Sequence, residues 1–84
     1  MIEDELRAIV AEVAEVDPDS IDASGTLADA GVDSLMSMEI AVDVERRYGL
    51  SFTIEELKTI TTFGSLVALT RARLADREGA STER

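Results

Sequence analysis

Apolar residues recur at helical spacing in the first stretch of the chain: Ile2, Leu6, Ile9, Val10, Val13 and Val16. That periodicity predicts an amphipathic helix over residues 3–16. Glu3, Asp4 and Glu5 sit where the helix dipole favours negative charge. Asp17-Pro18 is expected to end the helix, because the residue before a proline is pushed out of the helical region. The period is then lost over residues 17–33, a connection long enough in a small domain to be functional or disordered. Its apolar residues Ile21, Leu27 and Val32 are expected to pin it to a core. The helical pattern returns over residues 34–48, stops at Gly49, and reappears briefly over 54–59. Thr61 or Thr62 can cap a fourth helix running to about Asp76, with Phe63, Leu66, Val67, Thr70 and Leu74 on one face. Arg71, Arg73 and Arg77 suit its C-terminal end. The prediction is an all-α fold: a small four-helix bundle of three longer helices and a short third, with a long first connection. Residues 1–76 form the helical domain, and the polar, aperiodic residues 77–84 are expected to be a disordered C-terminal tail.

The helix over 34–48 carries one apolar stripe too many. At about 100° per residue, Ile40, Ala41, Val44 and Tyr48 fall together, with Ser37 beside them. Leu35, Met38 and Val42 cluster on nearly the opposite side, flanked by Glu39, Glu45 and Arg46. A helix in a small bundle normally buries one face. The second stripe is therefore either an exposed recognition strip with acidic edges or ordinary core beneath the 17–33 connection. Methionine suits the first role, since it re-packs against different partners.

Composition narrows the chemistry. The chain has 84 residues, one small domain with a modest core. It has no cysteine and no histidine, which removes disulfides, thiolate metal sites and the commonest general base. No catalytic residue and no metal site is expected, and an enzyme finds little support. Asp and Glu number 18 against 8 Lys and Arg, a net charge of -10. That charge argues against nucleic acid and favours partners with basic surfaces, although acidity also simply keeps a small domain soluble. The acids of residues 17–28 do not match a calcium loop: the sixth position is Asp22 instead of glycine and the twelfth is Ala28 instead of glutamate. No apolar run approaches the ~20 residues that span a bilayer, and Met1-Ile2-Glu3-Asp4-Glu5 is acidic where an export signal is basic. A cytoplasmic monomer is expected, either free-standing or a domain excised from a longer protein.

The candidate chemistry lies at the loop–helix junction Gly31-Val32-Asp33-Ser34-Leu35. Ser34 and Asp33 are both favoured N-cap residues, so capping alone explains them. A helix N-terminus also stabilises an anion, and glycine at 31 permits the turn that presents the hydroxyl. The stretch resembles the modification site of acyl carrier proteins, and the resemblance covers residues 3–76. It implies that Ser34 is esterified by 4'-phosphopantetheine, taken from coenzyme A, and that acyl groups ride on that arm as thioesters. It implies a phosphopantetheinyl transferase as partner, with Asp33 near that enzyme's metal-bound cofactor. It also implies contacts from Leu35, Met38, Glu39, Val42 and Glu45 to a ketosynthase, an acyltransferase and other synthase enzymes. Inner-face core positions would part to shelter the acyl chain. Asp33-Ser34-Leu35-Met36 and Glu45-Arg46-Arg47-Tyr48-Gly49 look more like polyketide carriers than fatty-acid ones. The alternatives are a peptidyl or aminoacyl carrier and an acidic adaptor domain that is never modified.

Overall fold

The computed structural model describes the backbone of residues 1–82 and the side chains of residues 1–76. Four α-helices follow in order among the described residues: α1 (Ile2–Ala14), α2 (Ser34–Tyr48), α3 (Ile54–Thr59) and α4 (Phe63–Thr82). The all-α bundle with a short third helix and a long first connection is as the hydrophobic pattern predicts. No helix among the described residues is long and apolar enough to cross a membrane. No group of three or more acidic, His or Cys side chains there is placed to hold a metal ion.

Two helix ends differ from the sequence expectation. The first helix stops at Ala14, short of Val16, because Glu15 turns left-handed at φ 58°. The Val16 amide then donates back to the Ala11 carbonyl at 3.0 Å, closing the end before Pro18 is reached. At the other end, α4 continues past Asp76 to Thr82. The tail expected to be disordered, residues 77–84, begins inside this helix: the backbone of 77–82 is described as helical, while the side chains of 77–82 and all of residues 83–84 lie outside the described residues.

The core is built from Leu6, Ile9 and Val10 of α1, Ile40 and Val44 of α2, and Phe63, Leu66 and Val67 of α4. The three expected anchors of the long connection, Ile21, Leu27 and Val32, are all buried with them. Residues 17–33 are accordingly an ordered strap with two short 3-10 turns, Pro18–Ser20 and Ala28–Ala30. Arg7 clasps it: one guanidinium nitrogen donates to the Ile21 carbonyl at 2.8 Å, another pairs with Glu3 at 3.2 Å, and the group lies 4.9 Å from the centre of the Phe63 ring. The Leu27 amide donates to the Thr61 carbonyl at 2.9 Å, which fixes the strap to the start of α4. Thr62 caps α4 through the Ser65 amide, and the Ser65 hydroxyl answers by accepting the Thr61 and Thr62 amides.

The phenol of Tyr48 on α2 donates to the Glu5 carboxylate on α1. Burial, then that bond, pushes the Tyr48 phenol up to about 12. The folded state thus favours the neutral phenol, and its contribution is lost as pH rises from about 10 through 12.

α3 is held differently from the other helices, since none of its side chains is fully buried. A Thr53–Glu56 capping box starts it. Arg73 of α4 reaches across to the Glu56 carboxylate at 3.3 Å and the Ser51 carbonyl at 3.0 Å. Arg73, read from sequence as suiting the end of α4, is instead a tie between two helices.

Candidate functional site

Asp33 is the N-cap of α2, its carboxylate accepting the Met36 amide at 2.8 Å. That settles the capping question left open at the junction: Asp33 does it, and Ser34 is the first helical residue. Ser34 is exposed, and its hydroxyl has no hydrogen bond to the described protein. Gly31 supports this presentation at φ 91°, a conformation that strains any residue with a Cβ. Among the first amides of α2, those of Met36 and Ser37 are satisfied by Asp33. Those of Ser34 and Leu35 are left free at the positive end of the dipole. A phosphodiester on Ser34 Oγ therefore fits its surroundings: an accessible oxygen, unpaired amide donors and no side chain to displace.

The two stripes of α2 separate as drawn from the wheel. Ile40, Ala41 and Val44 are buried, while Leu35 is 68% exposed, Met38 60% and Val42 41%. Ile54, at the start of α3, joins this apolar surface at 73% exposure; spacing does not reveal it, because a six-residue helix is too short to show a face. Glu39 is exposed, on the edge of the strip. Glu45 is not free in the same way: it is half-buried and accepts the Phe52 amide at 2.8 Å, holding the chain after α2. Val44→Ala is expected to cost about 1–3 kcal/mol through lost burial and a cavity. Met38→Ala should stay within about 1 kcal/mol. Paired denaturant midpoints check the contrast, and equal losses would make the outer strip part of the core.

Behind Ser34 opens a cleft of about 440 Å³ between α2 and α3, within the size range of small-molecule sites. Ile40, Ala41, Leu57, Ile60 and Leu66 form its apolar walls, and Ser34, Ser37 and Lys58 supply its polar edge. It extends along α2 from Ser34 to Ala41, about 10 Å at 1.5 Å per residue.

Residues 4–70 match the family model described as "Phosphopantetheine attachment site". This chain belongs to the phosphopantetheine-bearing acyl carrier family. The hexanoyl acyl carrier protein of the actinorhodin polyketide synthase from Streptomyces coelicolor superposes with a TM-score of 0.77 at 30% identity, over 87% of this chain and 90% of that one. The non-reducing polyketide synthase azaA of Aspergillus niger is 44% identical over 64 residues, 76% of this chain and 2% of that protein. The non-reducing polyketide synthase pigA of Monascus ruber is 35% identical over 82 residues, 98% of this chain and 3% of that protein. The carrier spans only a few hundredths of these curated relatives. The family's cofactor is covalent 4'-phosphopantetheine, whose terminal thiol holds acyl groups as thioesters.

Proposed function

We propose that this carrier takes its arm on Ser34 and serves polyketide assembly. One observation carries the attachment reading: among the described residues, Ser34 alone combines an exposed, unbonded hydroxyl, a helix N-terminus relieved of capping by Asp33, and the mouth of an apolar cleft. The Ser34 oxygen attacks the coenzyme A phosphate that bears the pantetheine. A new P–O bond forms, the bond to adenosine 3',5'-bisphosphate breaks, and the hydroxyl proton leaves to the transferase. The chain supplies the nucleophile and its position, and the phosphopantetheinyl transferase supplies the chemistry. The second oxygen of Asp33 has no hydrogen bond within the described protein, so it is open to orient that encounter. The two relatives from Aspergillus niger and Monascus ruber are both non-reducing polyketide synthases, which supports a polyketide cargo.

Leu35, Met38 and Val42 form the anchor of the partner-binding surface, with Glu39 on its rim. Ketosynthase and acyltransferase surfaces that are basic would complement residues 17–56, where ten acids and two bases leave a local charge of -8. Charge on a rim acts chiefly on association rate and is screened within about 8–10 Å at physiological salt. Glu39→Lys is expected to slow loading by the transferase at low salt, and the deficit should shrink as salt rises. Stopped-flow association rates at two ionic strengths check this; rates indifferent to salt would rule out steering. Glu45→Lys is a poorer probe, because it also removes the Phe52 amide's acceptor. The overall reading is tested by incubation with a broad-specificity transferase and coenzyme A, followed by intact mass. A wild-type protein that gains no mass refutes it.

A further inference from the structure

The outer strip of α2 changes sign along its length. Leu35, Met38 and Val42 stand at i, i+3 and i+7, and Arg46 continues the same line at i+11. A shallow groove of about 310 Å³ runs along it, lined by Met38, Glu39, Val42, Asp43 and Arg46. Toward Ser34 the charged neighbours are carboxylates, Asp33 and Glu39, both exposed. Beyond Val42 come the guanidinium groups of Arg46 and Arg47, also exposed. Asp43 lies three residues before Arg46 and four before Arg47, a spacing that allows ion pairs on a helix. Neither pair forms among the described residues. Glu45, the other acid nearby, is engaged with the Phe52 amide. The negative end of the helix dipole accounts for a cation in this turn. It does not account for one in line with the apolar strip and left unpaired.

An apolar stripe alone has no direction: a partner's groove accepts it with Ser34 at either end. Ser34 and Arg46 are about 18 Å apart along the helix at 1.5 Å per residue, so a reversed carrier roots its arm that far from the entrance it has to reach. A condensing enzyme is sensitive to this, because it brings a carrier-held thioester against a second acyl group inside its own site. Charges of opposite sign at the two ends of the strip fix the register and reject the reversed pose. We propose that Arg46 is a positioning residue for docking on the ketosynthase, whose surface sets basic groups toward Ser34 and a carboxylate against Arg46. The inference rests on the partner-surface reading of Leu35, Met38 and Val42 and adds the direction in which that surface is read.

The test mixes the phosphopantetheine-loaded carrier with the isolated ketosynthase of a non-reducing polyketide synthase and reads association by stopped flow. The sign of one effect decides it. Against a uniformly basic partner surface, Arg46→Glu should associate faster, since it makes the carrier two charges more negative. A carboxylate opposite Arg46 reverses this: association should be about three- to tenfold slower at low salt, and the deficit should shrink as salt rises. Arg46→Lys keeps the charge and should stay within about twofold of wild type. Arg71→Glu makes the same change of charge at an exposed, unpaired position on α4 and should associate at least as fast as wild type. An Arg46→Glu carrier that associates as fast as wild type or faster overturns the proposal, as does an Arg71→Glu carrier slowed to the same extent. A wild-type carrier that shows no association with the enzyme overturns it too. Met38→Ala with unchanged association removes the strip as the docking surface, and this proposal with it. In all these cases a carrier that has gained the mass of one phosphopantetheine leaves the attachment reading standing, whereas one that gains none overturns both.

Discussion

Ser34→Ala is expected to give a folded domain that no phosphopantetheinyl transferase loads. The side chain is exposed and makes no hydrogen bond within the described protein, so its removal should change stability by no more than about 0.5 kcal/mol. The cap survives because Asp33 provides it. Asp33→Ala makes the contrast: it keeps the hydroxyl but loses the cap, at about 0.5–2 kcal/mol. Other serines are poor substitutes. The Ser20 and Ser24 hydroxyls are tied to Asp17 and Asp22 within the strap, and the Ser65 hydroxyl is consumed in capping α4. Intact mass after transferase treatment, alongside a thermal melt, reads both halves of the expectation. A Ser34→Ala protein that still gains one phosphopantetheine would place the site elsewhere.

The largest structural loss should follow Phe63→Ala. The ring is completely buried at the first residue of α4, and truncating such a residue typically costs about 3–5 kcal/mol. Domains of this kind have only about 5–15 kcal/mol in total. The damage should extend beyond the cavity. Arg7 lies over the ring and donates to the Ile21 carbonyl, so the strap loses part of its clasp with the ring. Urea midpoints for Phe63→Ala and the milder Phe63→Leu measure the effect. A midpoint for the alanine variant equal to the wild type would show that this corner does not hold the fold.

Much of this architecture is legible in the order of apolar residues. The faces of α1, α2 and α4, the three anchors of the strap and the exposed strip of α2 all follow from spacing, because each is a property of one segment. What spacing hides depends on segments far apart in sequence. Arg7 meets Ile21 and Phe63, Arg73 meets Ser51 and Glu56, and Glu45 meets Phe52 only once the helices have packed. The left-handed turn at Glu15 is hidden for another reason. Glutamate carries no signal for that conformation, and Pro18 offered a more obvious stop. The cleft is hidden because one wall is a six-residue helix too short to show a period. The Asp33-Ser34 junction shows the limit of local propensity. Two cap-forming residues in succession leave the assignment open until the hydrogen bond to Met36 decides it.

The light anchoring of α3 separates two kinds of information in the chain. Folding is encoded almost wholly in α1, α2, α4 and the strap, whose side chains fill the core. The opposite wall of the cleft, including Ile54, Leu57 and Lys58, belongs to a helix with no fully buried side chain. Sequence drift or deliberate replacement at these three positions can therefore retune what the cleft accepts while the fold stays intact. A family of carriers with different cargoes could descend from one scaffold by rewriting this single turn and a half of helix.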